Sequence, residues 1–440
     1  MPNILVIKKR INNFHNRIIK VSGDKSLSIR WVLLASLAEG KSKSFNLLNS
    51  EDVKASINAI KNFGIKVNFK KKFCEINGKG LNGYRYKKNM IINAKNSGTL
   101  ARLILGLLVN ANKKIRVIGD KSLSKRDFKR IADPLKKFGA KFQLTRNKNL
   151  PLNILGTEKL KPIKYYENNG SAQCKSSVIF AALRTKGTTF IKAKKSRNHT
   201  ELLCKYLNLP ITISSKKNYD LIKVKKANKI KSFNYQVPSD ISSAAFFIVL
   251  TCLSNNSSMT IKSVNINRSR IGMIIILKKM GVKIIFKNKR LYKGELIADI
   301  FVKSTKNLKS INCPIKLNSS SIDEFLLIFL FSSKARGVSY FKNLGELDQK
   351  ESPRLKWGSK ILRLMGIKTE LSNSSIKIFG KPKIEINKKI IIKDYLKDHR
   401  IFMSSVIAAL SFGGEWHIHN KDSIKTSFPN FLKILKNLER

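Results

Sequence analysis

Polar and apolar segments alternate in one arrangement that returns six times along the 440-residue chain. A polar loop leads into an apolar stretch of helical length, and a small turn and a strand-like segment follow. The apolar stretches begin about 75 residues apart, at Ser28, Gly98, Ala172, Ser242, Ile322 and Arg400. Six matched copies predict six repeated α/β units.

A second feature repeats with the same spacing: the end of a helix, a glycine and the start of a strand. The glycines are Gly64, Gly139, Gly281 and Gly366, and a degenerate copy, CKYLNLPITI, lies near residue 210. Glycine commonly ends a helix because it adopts the left-handed backbone conformation without strain. Each unit is therefore predicted to contain two helices and several strands.

Six such units exceed what a single hydrophobic core usually holds, so two domains of three units each are predicted. The third unit ends in a polar, lysine-rich stretch, which sets the boundary near residue 235. The strand-like segment NILVIKK precedes the first unit, and it can pair with either domain. We predict an N-terminal domain of residues 23–235 and a C-terminal domain of residues 1–22 with 236–440, with the substrate cleft between them.

The chain carries 88 Lys and Arg residues against 27 Asp and Glu residues, a formal net charge of +61. A charge of this size often indicates a polyanionic partner. Lysine is spread over every segment, however, and no nucleic-acid recognition motif accompanies it. A solvated, lysine-rich surface that follows from biased composition explains the charge better, and we expect no nucleic-acid partner.

The five cysteines, Cys74, Cys174, Cys204, Cys252 and Cys313, are scattered and form no CxxC pair. Such thiols argue against a disulfide framework or a zinc site and favour a reducing compartment. The longest apolar stretches, AAFFIVLTCL and FLLIFLF, are too short to span a bilayer. We therefore expect a cytoplasmic protein that has no membrane partner and no bound metal, and that is a monomer.

Each unit opens its apolar helix with a different set of polar residues. Ser, Thr, Asn and Asp at such positions are common N-caps, so capping alone explains most of them. Lys25 and Arg30 are different, because cations near the positive end of a helix are repelled unless an anion binds there. Two further basic runs contain Arg126 and Arg354. The helix starts and the cations together predict a space that attracts anions.

Nine short stretches resemble the 5-enolpyruvylshikimate-3-phosphate synthases (3-phosphoshikimate 1-carboxyvinyltransferases), and they occur in the order of that family. They are GDKSLSIR, NSGTLARL, GDKSLSKR, SAQCKSS, PSDISSA, IDEF, KESPRL, DHRIFM and TSFPNF. The resemblance covers nearly the whole chain. It implies an α/β fold of the enolpyruvyl transferase type: a two-domain inside-out α/β barrel with six βαβαββ-type units, three in each domain.

The resemblance also implies an activity. The enolpyruvyl group of phosphoenolpyruvate is transferred to the 5-hydroxyl of shikimate 3-phosphate, and phosphate leaves after a tetrahedral intermediate. The reaction belongs to the shikimate pathway, which leads to chorismate and the aromatic amino acids. It needs no metal and no organic cofactor, and glyphosate competes with phosphoenolpyruvate. Both substrates are polyanions, which accounts for cations at the helix starts.

Matching positions imply roles for individual residues. The catalytic residues would be Lys25, Asp323 and Glu351, with Asp323 as the general base and Glu351 handling protons at the methylene carbon. The residues that bind shikimate 3-phosphate would be Lys25, Ser26, Arg30, Ser171, Ala172, Gln173, Asp323 and Lys350. Those that bind phosphoenolpyruvate would be Lys25, Gly98, Arg126, Gln173, Arg354 and Arg400.

The chain departs from the family pattern at three positions. Pro353 stands where the family usually has Asp, and Asp348 stands where it has Arg. Proline suits the first turn of a helix, where its missing N–H would have no partner anyway. Thr426, next to Lys425, stands where many members have Lys. These changes bear on rate and affinity more than on the type of reaction.

Two other functions stay open. The sister enzyme that transfers enolpyruvyl to UDP-N-acetylglucosamine shares the six-unit fold, but it uses a loop cysteine that GDKSLSKR lacks. The other alternative is a non-catalytic basic protein that binds anions or nucleic acid. Phosphate release with shikimate 3-phosphate but not with UDP-N-acetylglucosamine would exclude the sister activity. Salt-dependent DNA binding without turnover would favour the second alternative.

Overall fold

The computed structural model describes residues 3–70 and 72–438, in which helices and strands alternate along the whole chain. The strands are β1 (Ile4–Ile7), β2 (Arg17–Ile19), β3 (Glu39–Phe45), β4 (Lys66–Phe69), β5 (Phe73–Lys79), β6 (Met90–Asn93), β7 (Ile115–Ile118), β8 (Lys141–Gln143), β9 (Leu152–Leu155), β10 (Lys164–Glu167), β11 (Thr188–Lys194), β12 (Ile211–Ser215), β13 (Tyr219–Lys225), β14 (Tyr235–Gln236), β15 (Ser258–Asn265), β16 (Ile284–Tyr292), β17 (Glu295–Lys303), β18 (Val338–Phe341), β19 (Thr369–Leu371), β20 (Ile376–Phe379), β21 (Lys389–Ile392) and β22 (Glu415–His419). The helices are α1 (Lys25–Ser36), α2 (Glu51–Asn62), α3 (Gly98–Leu107), α4 (Lys129–Lys137), α5 (Ala172–Ala182), α6 (His199–Tyr206), α7 (Ile241–Leu253), α8 (Gly272–Lys279), α9 (Asn318–Ser321), α10 (Phe325–Ser332), α11 (Arg354–Leu364), α12 (His399–Phe412) and α13 (Phe431–Leu438).

Polar side chains begin many of the helices, and glycines end several of them. The side chains of Asp24, Ser97 and Ser171 accept hydrogen bonds from amides in the first turns of α1, α3 and α5. Asp240 and Asp398 do the same for α7 and α12. The four glycines that were predicted to end helices have φ angles between +80° and +109°. Because L side chains rarely adopt such angles, these positions confirm the predicted helix ends.

The second and third repeats show the basic sheet of the fold. In each repeat, the strand before the first helix pairs in parallel with the strand after that helix. Two further strands join the sheet in antiparallel orientation. The resulting strand orders are β6-β7-β9-β8 and β10-β11-β13-β12. In register, Met90 lies opposite Ile115 and Lys164 lies opposite Phe190. Each parallel pair with its intervening helix is a βαβ crossover, which packs that helix on one face of the sheet.

Three other sheets take a strand from a distant part of the chain. β2, which precedes α1, pairs in parallel with β15, so that Arg17 lies opposite Met259. β14, which precedes α7, pairs in parallel with β3, so that Tyr235 lies opposite Ser44. The resulting orders are β16-β17-β15-β2 and β14-β3-β5-β4. β1 joins the sheet β1-β22-β21 antiparallel to β22, so the segment NILVIKK completes the sheet of the last repeat.

The chain forms two compact units, and each unit has its own core. The N-terminal unit consists of Gly23–Val237 and Leu291–Glu295, and the C-terminal unit consists of Met1–Ser22, Pro238–Arg290 and Leu296–Arg440. α1, α3 and α5 are the most buried helices of the first unit, and α7, α10 and α12 are those of the second. Strands of the surrounding sheets alternate buried and exposed residues. Helices therefore form the inside of each unit and sheets the outside, as the sequence predicted.

None of the helices in the described ranges has the length and apolar character needed to cross a membrane.

Candidate active site

The first turn of α1 holds the first of the predicted anion-binding cations. Asp24 caps this helix by accepting a hydrogen bond from the Leu27 amide at 2.9 Å. The Lys25 ammonium lies 3.1 Å from the Asp52 carboxylate of α2, and 21% of the Lys25 side chain is exposed. Ser26 follows in the same turn and is partly exposed. Because an ammonium group carries three donors, a bound anion can add to the contact with Asp52.

Arg30 lies further along α1 and is buried, with 2% of its surface exposed. Its Nε donates to Thr200 Oγ1 at 2.7 Å, its Nη1 to the Ser26 carbonyl at 3.0 Å and its Nη2 to Ser176 Oγ at 3.2 Å. These three acceptors are neutral oxygens. They orient the guanidinium group without cancelling its charge, which suits a group that binds phosphate.

The starts of α3 and α5 bring Gly98 and Gln173 close to two arginines. Gln173 accepts a hydrogen bond from Arg102 Nη1 at 2.6 Å and donates one to Thr99 Oγ1 at 3.0 Å. A methyl group added at Gly98 would lie 2.9 Å from Arg126 Nη1 and 3.1 Å from Arg102 Nη1. These distances are shorter than ordinary contacts, so any larger residue at position 98 would displace the guanidinium groups.

Ser171 and Ala172 lie where the sequence placed them, at the start of α5. The Ser171 side chain accepts a hydrogen bond from the Cys174 amide at 3.3 Å, and Ala172 is the first residue of the helix. Both are partly exposed. Backbone amides of a first helical turn attract anions, which supports the predicted contact with a phosphorylated ligand.

Arg102 is a candidate binding residue that the sequence analysis missed. Burial, followed by the positive charges of Arg130 and Arg126, lowers the pKa of the Arg102 guanidinium to about 10. Cations so close to one another are stabilised when an anion binds among them. The available signal was a single cation within the apolar segment GTLARLILGL, four residues after Gly98 and so on the same helix face.

In the C-terminal unit, Asp323 lies just before α10 and is surrounded by three of the predicted cations. Its carboxylate oxygens lie 3.4 Å from Arg354, 3.7 Å from Lys350 and 3.9 Å from Arg400. Arg400 also donates from Nη1 to the Asp323 backbone carbonyl at 2.7 Å. The structure therefore gathers four of the predicted residues of this unit into one cluster.

Arg354 connects this cluster to Glu351 and Asp398. Its guanidinium donates to Asp398 Oδ2 at 2.8 Å, to Asp398 Oδ1 at 3.2 Å and to Glu351 Oε2. Burial alone would lower the pKa of Arg354, but the charges of Asp398 and Glu351 raise it above its ordinary value. Burial would raise the pKa of Asp398, but Arg354 lowers it below the ordinary value. Both groups are therefore ionised near neutral pH. Asp398 is, after Arg102, the second residue of the site that the sequence-based assignment did not include.

Two departures from the family pattern compensate each other at the start of α11. Pro353 precedes the first helical residue, and its carbonyl accepts the first hydrogen bond of the helix at 3.0 Å. Proline has no polar side chain for capping, and Asp348 instead accepts a hydrogen bond from the Leu355 amide at 2.8 Å. Thr426, the third departure, lies 3.3 Å from His399 Nδ1 through its hydroxyl. Each of the three residues thus has a structural role in its new context.

The cations around Arg30 and Gly98 in the N-terminal unit form one cluster, and the residues around Asp323 in the C-terminal unit form a second. The two clusters can perform complementary chemistry. Buried guanidinium groups with fixed orientations bind carboxylates and phosphates. Two carboxylates, those of Asp323 and Glu351, lie on either side of Arg354. Such a pair can take a proton from one reacting atom and deliver one to another. Anion binding together with proton transfer is what addition of a hydroxyl to a phosphorylated enol requires.

Six repeats with central helices and outer sheets, and cations at the helix starts, define an enolpyruvyl transferase. The enolpyruvyl transferase NikO from Streptomyces tendae has the same fold, with a TM-score of 0.76 over 100% of this chain and 98% of that chain, at 15% identity. The EPSP synthase from Acinetobacter baumannii gives a TM-score of 0.86 and 33% identity, over 98% of both chains.

The family model of EPSP synthase (3-phosphoshikimate 1-carboxyvinyltransferase) matches residues 10–435. The 3-phosphoshikimate 1-carboxyvinyltransferase of Ruthia magnifica subsp. Calyptogena magnifica is 40% identical over 421 residues, 94% of each chain. That of Petrotoga mobilis is 35% identical over 429 residues, 96% of this chain and 97% of the relative. The chain therefore belongs to the EPSP synthase family. It is a transferase of the shikimate pathway that moves the enolpyruvyl group of phosphoenolpyruvate to shikimate 3-phosphate, and the predicted family, fold and activity are confirmed.

Proposed function

We propose that the two clusters divide the work of this reaction, with substrate binding by the N-terminal unit. Shikimate 3-phosphate contacts the starts of α1 and α5, through Lys25, Ser26, Arg30, Ser171, Ala172 and Gln173. Phosphoenolpyruvate contacts the start of α3 and its neighbours, through Lys25, Gly98, Arg126 and Gln173. The fixed guanidinium of Arg30 and the crowded cations beside Gly98 support these assignments, because both arrangements favour a bound anion.

The C-terminal unit supplies proton transfer and further anion binding in this proposal. Asp323 contacts the 5-hydroxyl and accepts its proton, and Lys350 contacts the shikimate moiety. Arg354 and Arg400 hold phosphoenolpyruvate. The observation that carries the proposal is the Asp323 carboxylate within 3.4–3.9 Å of Arg354, Lys350 and Arg400. Three cations around one partly exposed base would bring an anionic substrate to the group that deprotonates it.

The reaction then proceeds by addition and elimination. Asp323 takes the proton of the 5-hydroxyl as the oxygen forms a bond to C2 of phosphoenolpyruvate. Glu351, in its protonated form, delivers a proton to the methylene carbon and becomes a carboxylate. The product of this step is a tetrahedral intermediate that carries phosphate at C2. The Glu351 carboxylate then takes a proton back from the new methyl group as the bond to phosphate breaks. This restores the double bond, releases phosphate and gives the enolpyruvyl ether. Lys25, which contacts both substrates, stabilises the charge that develops during these steps.

A phosphate-release assay tests the substrate assignment. Purified protein should release phosphate when phosphoenolpyruvate and shikimate 3-phosphate are both present. Omission of either substrate should abolish phosphate release. Replacement of shikimate 3-phosphate by UDP-N-acetylglucosamine should abolish it as well. Phosphate release from phosphoenolpyruvate with the UDP-sugar, but not with shikimate 3-phosphate, would assign the sister activity. Absence of phosphate release with both acceptors would contradict the proposal.

The role of Asp323 is tested by Asp323→Asn. This variant should bind shikimate 3-phosphate but lose activity by about 10²–10⁴-fold, the usual contribution of a general base. Asp133→Asn is the matched control, because Asp133 is a partly exposed residue of α4 whose carboxylate lies 3.9 Å from Lys129 and from Lys136. A nearly normal rate in the Asp323 variant would remove this residue from the proposed role.

We also propose that the enzyme is monomeric and acts in the cytoplasm. All five cysteines are buried and unpaired, which fits a reducing compartment. Light scattering after gel filtration would test the first statement, and fractionation of cells with a tagged chain would test the second.

A further inference from the structure

A buried polar network lies at the start of α6, among residues that have no assigned role. His199, Thr200 and Glu201 are consecutive residues of its first turn, and each is at most 2% exposed. Each of the three side chains contacts a different partner in the N-terminal unit. Polar side chains at this depth need such partners, because burial without them is costly.

Two of these contacts fix the position of the helix start. The Glu201 carboxylate lies 2.6 Å from the Lys175 ammonium of α5. His199 Nδ1 lies 2.7 Å from the Glu295 carboxylate, which belongs to the segment Leu291–Glu295 of the same unit. Both pairs are almost completely buried. A shift of α6 would separate buried polar partners on both sides of Thr200, so the helix start is held firmly.

Thr200, between these two anchors, contacts Arg30. Its Oγ1 accepts a hydrogen bond from Arg30 Nε at 2.7 Å and donates one to Ser176 Oγ at 2.7 Å. Ser176 Oγ in turn accepts a hydrogen bond from Arg30 Nη2 at 3.2 Å. Two hydroxyl groups, linked to each other, thus hold one edge of the guanidinium. A carboxylate in their place would fix the guanidinium equally well, but it would compete with a bound phosphate for the positive charge.

We propose that Thr200 is a positioning residue of this enzyme, which sets the orientation in which Arg30 binds shikimate 3-phosphate. The inference rests on the proposed function, because that function gives Arg30 its ligand. Thr200 acts through Arg30 and does not touch the substrate. Its hydroxyl fixes the guanidinium before the substrate arrives, so less side-chain freedom is lost on binding.

The test compares Thr200→Val, which removes the hydroxyl and keeps the shape, with Thr200→Ser, which keeps the hydroxyl. Calorimetric titration with shikimate 3-phosphate should show about 10- to 100-fold weaker binding for the Val variant, the effect of losing a hydrogen bond to a charged group. The KM for shikimate 3-phosphate should rise in parallel, whereas kcat and the KM for phosphoenolpyruvate stay unchanged. Thr200→Ser should restore binding.

Thr185→Val is the matched control. Thr185 is a buried threonine of the same unit whose Oγ1 donates to the Ala181 carbonyl at 2.9 Å, so its loss removes a hydrogen bond that does not involve Arg30. This variant should bind shikimate 3-phosphate like the wild type.

The outcomes separate this inference from the proposed function. A wild type that does not bind shikimate 3-phosphate would contradict the proposed function, and with it this inference. If wild type and Thr200→Val bind shikimate 3-phosphate equally well, the inference alone is overturned. It is also overturned if the Val variant shows a lower kcat and equally raised KM values for both substrates. If the Val variant does not fold, Ser176→Ala removes the second hydroxyl. It should weaken binding in the same way, and unchanged binding would overturn the proposal.

Discussion

Asp398→Asn tests whether the cluster around Arg354 is organised by charge. The substitution keeps the side-chain volume and an oxygen for capping α12, where Asp398 Oδ1 accepts a hydrogen bond from the Arg400 amide at 2.9 Å. It removes the negative charge that faces Arg354 at 2.8 Å. Of the three carboxylates around this guanidinium, those of Glu351 and Asp323 remain.

The expected loss of stability is large because both partners are buried. The side chain of Asp398 is fully buried and that of Arg354 is 2% exposed. Removing one partner of a buried ion pair costs about 3–5 kcal/mol, and the two remaining carboxylates favour the lower value, about 3 kcal/mol. In a unit of roughly 200 residues, 1 kcal/mol corresponds to about 2–4 °C in Tm, so the melting temperature should fall by about 6–12 °C.

The pH dependence tests the physical cause. Because Arg354 keeps the pKa of Asp398 below its ordinary value, this carboxylate contributes stability that is fully present above the unfolded-state pKa of about 3.9. The contribution is lost as the pH falls from there through the lower native pKa. The difference in unfolding free energy between wild type and Asp398→Asn should therefore be constant from neutral pH to about pH 4 and should shrink below it.

Thermal and urea unfolding, followed by circular dichroism, measure both effects. Asp422→Asn is the control in the same unit, because the partly exposed Asp422 carboxylate accepts a hydrogen bond from the neutral, exposed side chain of Asn3. It should leave the melting temperature unchanged. An unchanged melting temperature in the Asp398 variant at neutral pH, or a stability difference that grows as the pH falls, would refute the reasoning.

Two further predictions concern the N-terminal unit. Lys25→Met should raise the KM for both substrates and lower kcat, because the proposed charge contact with both anions would be lost. Lys43→Met, which removes a cation 3.7 Å from Glu75 on a sheet, is the control. Normal kinetics in the Lys25 variant would contradict the proposed role of the α1 start. The wild type should be sensitive to glyphosate, and Gly98→Ala should reduce that sensitivity, because the added methyl lies 2.9 Å from Arg126 Nη1 and narrows the site that the longer inhibitor occupies. Inhibition at fixed phosphoenolpyruvate measures this, and a wild type as tolerant as the variant would contradict the steric argument.

Features encoded locally were predictable from the sequence. Helix starts and glycine helix ends depend on a few neighbouring residues, and the six repeats place them at regular intervals. The pairing of β1 and β2 was not predictable, because a short apolar strand fits several sheet edges and its partner is decided by the packing of the whole unit. Residues 1–22 were predicted to belong to the C-terminal domain, but no partner strand could be assigned to NILVIKK.

The same distinction explains which site residues were missed. Arg102 lies in the same motif as Gly98, NSGTLARL, but it is a single cation in an apolar helix. Its contact with Gln173 became apparent only once α3 and α5 were packed together. Thr200 is 170 positions from Arg30, so no local pattern connects them. Asp348 replaces a helix cap from a position seven residues before the amide it binds, outside the usual capping spacing.

The pairing of the first strand with β22 has a consequence for biosynthesis. Ile4 lies opposite His419, so β1 is synthesised long before the strand with which it pairs. Domains generally fold as units in the order of their synthesis. The N-terminal unit consists of Gly23–Val237 and the short segment Leu291–Glu295, and its last strands before that segment are Tyr219–Lys225 and Tyr235–Gln236. Nearly all of this unit is therefore synthesised before the segment Pro238–Arg290. In the C-terminal unit, by contrast, β1 has no partner strand until β22 has been synthesised.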